Sequence, residues 1–116
     1  MREMFTSIEN LNVIIDGVIS TLVQPTPEDR YMARIIHARF ILNSSRILSD
    51  LKEIEKLGDD ELKGFLEKYL TEFKSAFRSV FVSKHGFGSV IAERYAECAA
   101  ATMAEVIDSS LAIARQ

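Results

Sequence analysis

Pro27 and Gly58 bound a run that contains no other glycine or proline. About 31 residues without a breaker, apolar at three- and four-residue steps, predict a helix of roughly 46 Å at 1.5 Å per residue. A rod of that length cannot cover its own apolar face, so the rest of the 116-residue chain must pack along it. Three other segments carry the same period. Into and over 7–23, Phe5, Ile8, Leu11, Ile15, Val18, Ile19 and Leu22 recur on one face, and Glu9, Asn12, Asp16 and Ser20 lie opposite. Thr6 and Glu9 fit a capping box at its start. Over 60–83 the stripe is Leu62, Leu66, Tyr69, Phe73, Phe77 and Val80, widened by Phe65, Leu70, Ala76 and Phe81. Phe73 and Phe77 are expected in the core. Over 90–114, Ile91, Tyr95, Cys98, Thr102, Val106, Ser109 and Ile113 share a face, and the alanines at 99–101 and 104 permit close helix approach.

The breaks between these segments have helix-end chemistry. In Gln24-Pro25-Thr26-Pro27, Thr26 suits an N-cap and Pro27 the first helical position, while Glu28 and Asp29 favour the positive end of the helix dipole. Gly58 is expected just past a helix end, with Asp59 capping the next helix. Lys84-His85-Gly86-Phe87-Gly88 stops a helix, and Ser89 can cap the last one. No alternating run or Asn-Gly hairpin competes. The expectation is an all-α fold. It takes the form of an antiparallel four-helix bundle, with helices about 7–23, 27–57, 60–83 and 90–114, in one domain over 1–116.

Composition removes several classes of function. The chain is 47% hydrophobic and 27% charged, which excludes a disordered tail or linker. A net charge of -3 makes no global electrostatic case for nucleic acid or an anionic membrane. One cysteine, Cys98, excludes an internal disulfide and a multi-thiolate zinc site, and its place on an apolar stripe reads as a small core residue. The two histidines and Cys98 fall on different elements and no Glu-x-x-His pair occurs, so no metal or cofactor is expected. Glu93 and Glu97 read as a solvated edge. Glu3 and Glu9 spoil a secretory leader, Asn10, Asn12 and Asp16 interrupt its apolar region, and no stretch reaches the roughly 18 apolar residues of a membrane span. A cytoplasmic location is the expectation.

The long run from 27 to 57 holds the chemistry. From Arg30 to Arg46 it carries Arg30, Arg34, His37, Arg39 and Arg46 with no acid. At 100° per residue, Arg30, Arg34 and His37 fall within about 60° of one another. Arg39, Asn43, Arg46, Asp50 and Glu53 form a second polar stripe. Two apolar arcs separate them: Met32, Ile36, Phe40, Ile47, Leu51 and Ile54 on one side, Tyr31, Ile35, Ala38 and Leu42 on the other. A helix with two apolar arcs needs two partners, or one partner and a central position in the fold.

The plain reading of the first stripe is a solvated basic face with His37 hydrogen-bonded at its edge. Arg30-x6-His37 also resembles the Arg-x4-6-His motif of HEPN-type ribonucleases. That resemblance implies a small helical bundle, working as a dimer, whose Arg and His line an interface cleft and act on the RNA backbone. It covers two residues and the helical class, and Tyr31 stands where that family usually carries a polar residue. A His exposed on the second helix of a bundle also resembles histidine phosphotransfer domains, with a flanking Arg to hold the phosphoryl group. Ala38 stands where two-component dimerisation helices often carry an acid, and no Lys-Gly follows His37. In the last break, Lys84 and His85 before a helix N-terminus could hold an anion. The alternative there is a turn using positive φ, with Phe87 tucked over the bundle end.

The function expected from these readings is a non-enzymatic interaction or regulatory module. Its partner would be a second copy in a homodimer, or another protein. The candidate binding residues are Arg34, His37, Arg39, Arg46, His85 and Phe87. An RNA-directed nuclease using Arg30 and His37, with Arg34 beside them, is the alternative, and phosphotransfer at His37 the third.

Overall fold

The computed structural model describes residues 11–22 and 27–114. They form five helices: α1 (Leu11–Leu22), α2 (Pro27–Leu42), α3 (Ser44–Glu55), α4 (Asp59–Ser83) and α5 (Ser89–Ala114). No strand occurs among the described residues. The Thr6–Glu9 capping box, the start of the first expected helix, and the Gln24-Pro25-Thr26 break lie outside them.

The core is built around α5, which packs against α4, α1 and α3. Ala92, Ala96 and Ala99 are fully buried, and their lack of bulk lets neighbours approach closely. Tyr95, Cys98, Thr102, Met103, Val106 and Ile107 are buried around them, so α5 is covered on much more than one stripe. Two positions of the expected stripe differ: Ile91 is 48% exposed, and Ser109 is half-buried. The cause is the position of α5 at the centre of the fold, which draws in the adjacent alanine face. Helix α1 contacts both α2 and α5 and contributes Ile15 and Val18. Met32, Ile36 and Phe40 of α2 and Ile47, Leu51 and Ile54 of α3 complete the interior.

The expected helix 27–57 is two helices, interrupted at Asn43. Its φ of -105° and ψ of 17° leave the helical region. The Asn43 side-chain amide donates to the Arg39 carbonyl at 2.8 Å, and its backbone N–H donates to the same carbonyl at 3.1 Å. A short amide side chain that competes for main-chain acceptors disfavours a helix interior. Five helices therefore stand among the described residues where four were expected. Gly58 differs too: at φ -72° it is the extended residue before α4, not a left-handed helix stop, and Asp59 is the first residue of α4, not its cap. Asp59, Asp60 and Glu61 in that first turn suit the helix dipole.

One side-chain cluster ties α2 to α5. Asp29, only 2% exposed, accepts two bonds from Arg94 at 3.1 and 3.2 Å and one from the Tyr95 hydroxyl at 2.8 Å. A carboxylate so buried needs such donors, because an unpaired charge in the interior is costly. Nearby, burial and the Asp29 charge push the Cys98 thiol up to about 11, so it stays a neutral core group.

Helix α4 is the exception in this fold. Of its 25 residues only Phe81 is fully buried. Phe73 and Phe77, expected as core, are half-buried and rest against its edge, because no neighbouring helix covers their outer side. The turn after α4 contains Gly86 at φ +68°, which brings the Phe87 N–H to the Phe81 carbonyl at 3.1 Å.

Candidate functional site

Helices α2 and α3 do not close against α4. An open groove of 350 Å³ lies between them. Its floor is aromatic and aliphatic: Phe40 and Ile47 from α2 and α3, and Phe73, Phe77 and Val80 from α4. Phe40 meets Phe73 edge-on at 5.5 Å between centroids and Phe77 at 5.8 Å. These rings belong to a row along α4, in which Tyr69, Phe73, Phe77 and Phe81 follow at 6.1, 5.0 and 5.7 Å. The four-residue spacing creates that row, since positions i and i+4 share a helix face.

The walls are polar: Arg39, Asn43, Arg46 and Asp50 lie on the α2–α3 side and Glu72 on the α4 side. One end is closed by the Tyr69 hydroxyl donating to Asp50 at 2.7 Å. Burial first, and then the bond and charge of Asp50, hold the Tyr69 phenol well above its ordinary range, with Arg46 opposing. At the other flank of Arg39 and Arg46, part of the second apolar arc lies uncovered: Tyr31 is 62% and Leu42 75% exposed. Ala38 is exposed beside them, and Ile35 is half-buried.

Arg30, Arg34 and His37 come together elsewhere. They line a 280 Å³ hollow between α1 and α2, with Ile15, Asp16 and Ala33. Arg30 and Arg34 are exposed and His37 half-buried. The basic face thus contains an acid, Asp16, supplied by another helix. Arg39 lies nearly opposite this hollow on α2, so the candidate cations belong to two separate places. His85 and Phe87 form a third, stacked on each other at 5.9 Å over Phe81. His85 is exposed, while Phe87 is half-buried against the core and also meets Tyr95 at 6.5 Å.

The carboxylates of Glu93 and Glu97 are paired across helices. Lys74 meets Glu93 at 2.6 Å and Glu97 at 3.6 Å, and Arg78 meets Glu93 at 3.1 Å. The Lys74 bond holds Glu93 below the ordinary carboxylate range and raises Lys74. No group of three His, Cys, Asp or Glu side chains able to hold a metal gathers among the described residues. No helix among them is long and apolar enough to cross a membrane.

The chain matches no protein-family model, no curated protein and no solved structure. The likeness of Arg30 and His37 to the HEPN motif therefore stands on those residues alone.

Proposed function

We propose that this chain is a small cytoplasmic, regulatory protein-interaction module, and that its working surface is the groove between α2–α3 and α4. In this reading α2 and α3 act as one interrupted rod of an antiparallel four-helix bundle. The observation that carries it is the half-covered aromatic face of α4, where a continuous apolar floor lies open between polar edges. An apolar centre with a charged rim is the anatomy of a protein–protein interface. Arg39 and Arg46 belong to that surface, and Arg34, His37, His85 and Phe87 lie off it. A photo-crosslinking residue placed at exposed Ala76 tests the reading in producing cells, with the same residue at exposed Asp108 as control. A discrete adduct from position 76 and none from 108 is expected. No adduct at 76 would overturn it.

The hollow gives the HEPN-like reading its one support, the convergence of Arg30, Arg34 and His37. Two guanidiniums and an imidazole suit a phosphodiester, with His37 exchanging the proton. Against it, Asp16 sits among them, and the hollow faces away from the groove. RNA cleavage abolished by His37→Ala would establish that reading. The same variant, incubated with a radiolabelled small-molecule phosphodonor, tests phosphotransfer by loss of label.

A further inference from the structure

We propose that the groove is capped by a second copy of this chain, related by a two-fold axis running along the groove; the proposal rests on the reading of the groove as the interaction surface. The levels of the two walls are fixed by contacts across the groove. Asp50 meets Tyr69 at one end, and Phe40 meets Phe73 and Phe77 further along. Between these, the antiparallel run of the walls sets Arg46 opposite Glu72, and both are exposed groove-lining residues.

A two-fold axis along the groove exchanges the walls. It lays Arg46 of each copy on the partner's Glu72, and Glu72 on the partner's Arg46, so both contacts form at once. An axis across the groove would instead set the α2–α3 wall on itself, with Arg39 and Arg46 of each copy against one acid, Asp50, already engaged by Tyr69, and the excess of like charge opposes that alternative. The charge pattern of this one surface is therefore complementary to itself in one orientation, as an isologous interface requires.

The apolar shape agrees. Leu42 stands 75% exposed just outside the arginine wall. The same level on the α4 side carries Ala76, a small exposed residue between larger neighbours. In the dimer, Leu42 fills the partner's Ala76 recess, and the open aromatic floors close over each other. A stable interface of this kind buries about 1,200–2,000 Å² in total. The rim charges choose the register, and the floor and Leu42 supply most of the affinity.

Sedimentation equilibrium across the micromolar range tests the proposal. Wild type should sediment as a dimer, at twice the 13.1 kDa chain. Leu42→Glu should sediment as a monomer with unchanged circular dichroism, since the position lies outside the core. Arg46→Glu and Glu72→Arg alone should each raise the dimer dissociation constant about ten-fold, because each disturbs two contacts. The two together should restore dimerisation. A monomeric wild type, or a double variant no better than the singles, would overturn the proposal. If position 76 crosslinks to a different protein while wild type sediments as a monomer, the second copy is excluded but the interaction surface stands. No adduct at all removes both.

Discussion

Helices α4 and α5 are similar in length, at 25 and 26 residues, yet the fold uses them differently. Helix α5 is filled in on several sides by α1, α3 and α4, and three of its alanines, Ala92, Ala96 and Ala99, are buried outright. Helix α4 carries larger apolar groups, four of them phenylalanines, and buries only Phe81 completely. The difference follows from side-chain size. Small residues draw helices together into a closed centre, whereas a row of rings spaced four apart props α2 and α3 away and leaves a groove. The closed half of the molecule holds most of the fully buried side chains, and the open half leaves its rings half-covered.

The largest expected effect separates the two halves. Phe81→Ala should cost about 3–5 kcal/mol in denaturant unfolding, as truncation of a buried ring does. Phe73→Ala should cost about 1–2 kcal/mol, since only part of its ring leaves water on folding. Equal losses would erase the distinction. Next, Asp29→Ala should cost about 2 kcal/mol by the same measurement, because it removes the acceptor of the buried Tyr95 bond and the anion that Arg94 meets. Because Arg94 can turn to water, its own desolvation adds little. A neutral Asp29→Ala would mean the α2–α5 tie contributes nothing to the closed half.

Smaller effects sharpen the boundary. Gly86→Ala should lower stability by about 1 kcal/mol, because φ +68° is strained for any residue with a Cβ. Gly88→Ala, where no positive φ occurs, should shift the thermal midpoint little or slightly upward. Tyr69→Phe should cost about 0.5–1 kcal/mol through the lost bond to Asp50. Its pH dependence has a definite sign. The ordinary phenol value is 10.0, and the folded value lies above it, so the unfolded chain ionises first. The stabilisation is complete below about pH 10 and is lost as the pH rises above it. In Tyr69→Phe that alkaline loss should be shallower.

Much of this architecture was legible in the chain itself. The 3.6-residue period marked the helical segments, though it ran α2 and α3 together as one helix; Pro27 marked the start of α2, and Gly86 marked the turn after α4. The two apolar arcs of the long run were visible as well, and the structure leaves much of the second exposed. Other features depend on partners distant in sequence. The burial of Asp29 depends on Arg94 and Tyr95, 65 and 66 residues away, whereas a first-turn acid alone reads as a dipole partner facing water. Likewise Asp16 reaches the Arg30–His37 face from another helix. The break at Asn43 left one local signal, an asparagine inside a helical run, but its effect depends on which carbonyl the amide finds. The groove was not legible at all: periodicity shows which residues share a stripe, not how far the rings hold two helices apart.

The contrast between closed and open halves is tested most directly by fluorine NMR of the intact chain labelled with fluorophenylalanine, followed through dilution. Resonances assigned by single Phe→Leu substitutions should divide. Phe40, Phe73 and Phe77, which form the groove, should shift together as the partner dissociates, while Phe81 in the closed interior stays fixed. If the groove resonances are unmoved by dilution, no second copy covers the groove; if Phe81 moves in step with them, the open and closed halves are not distinct.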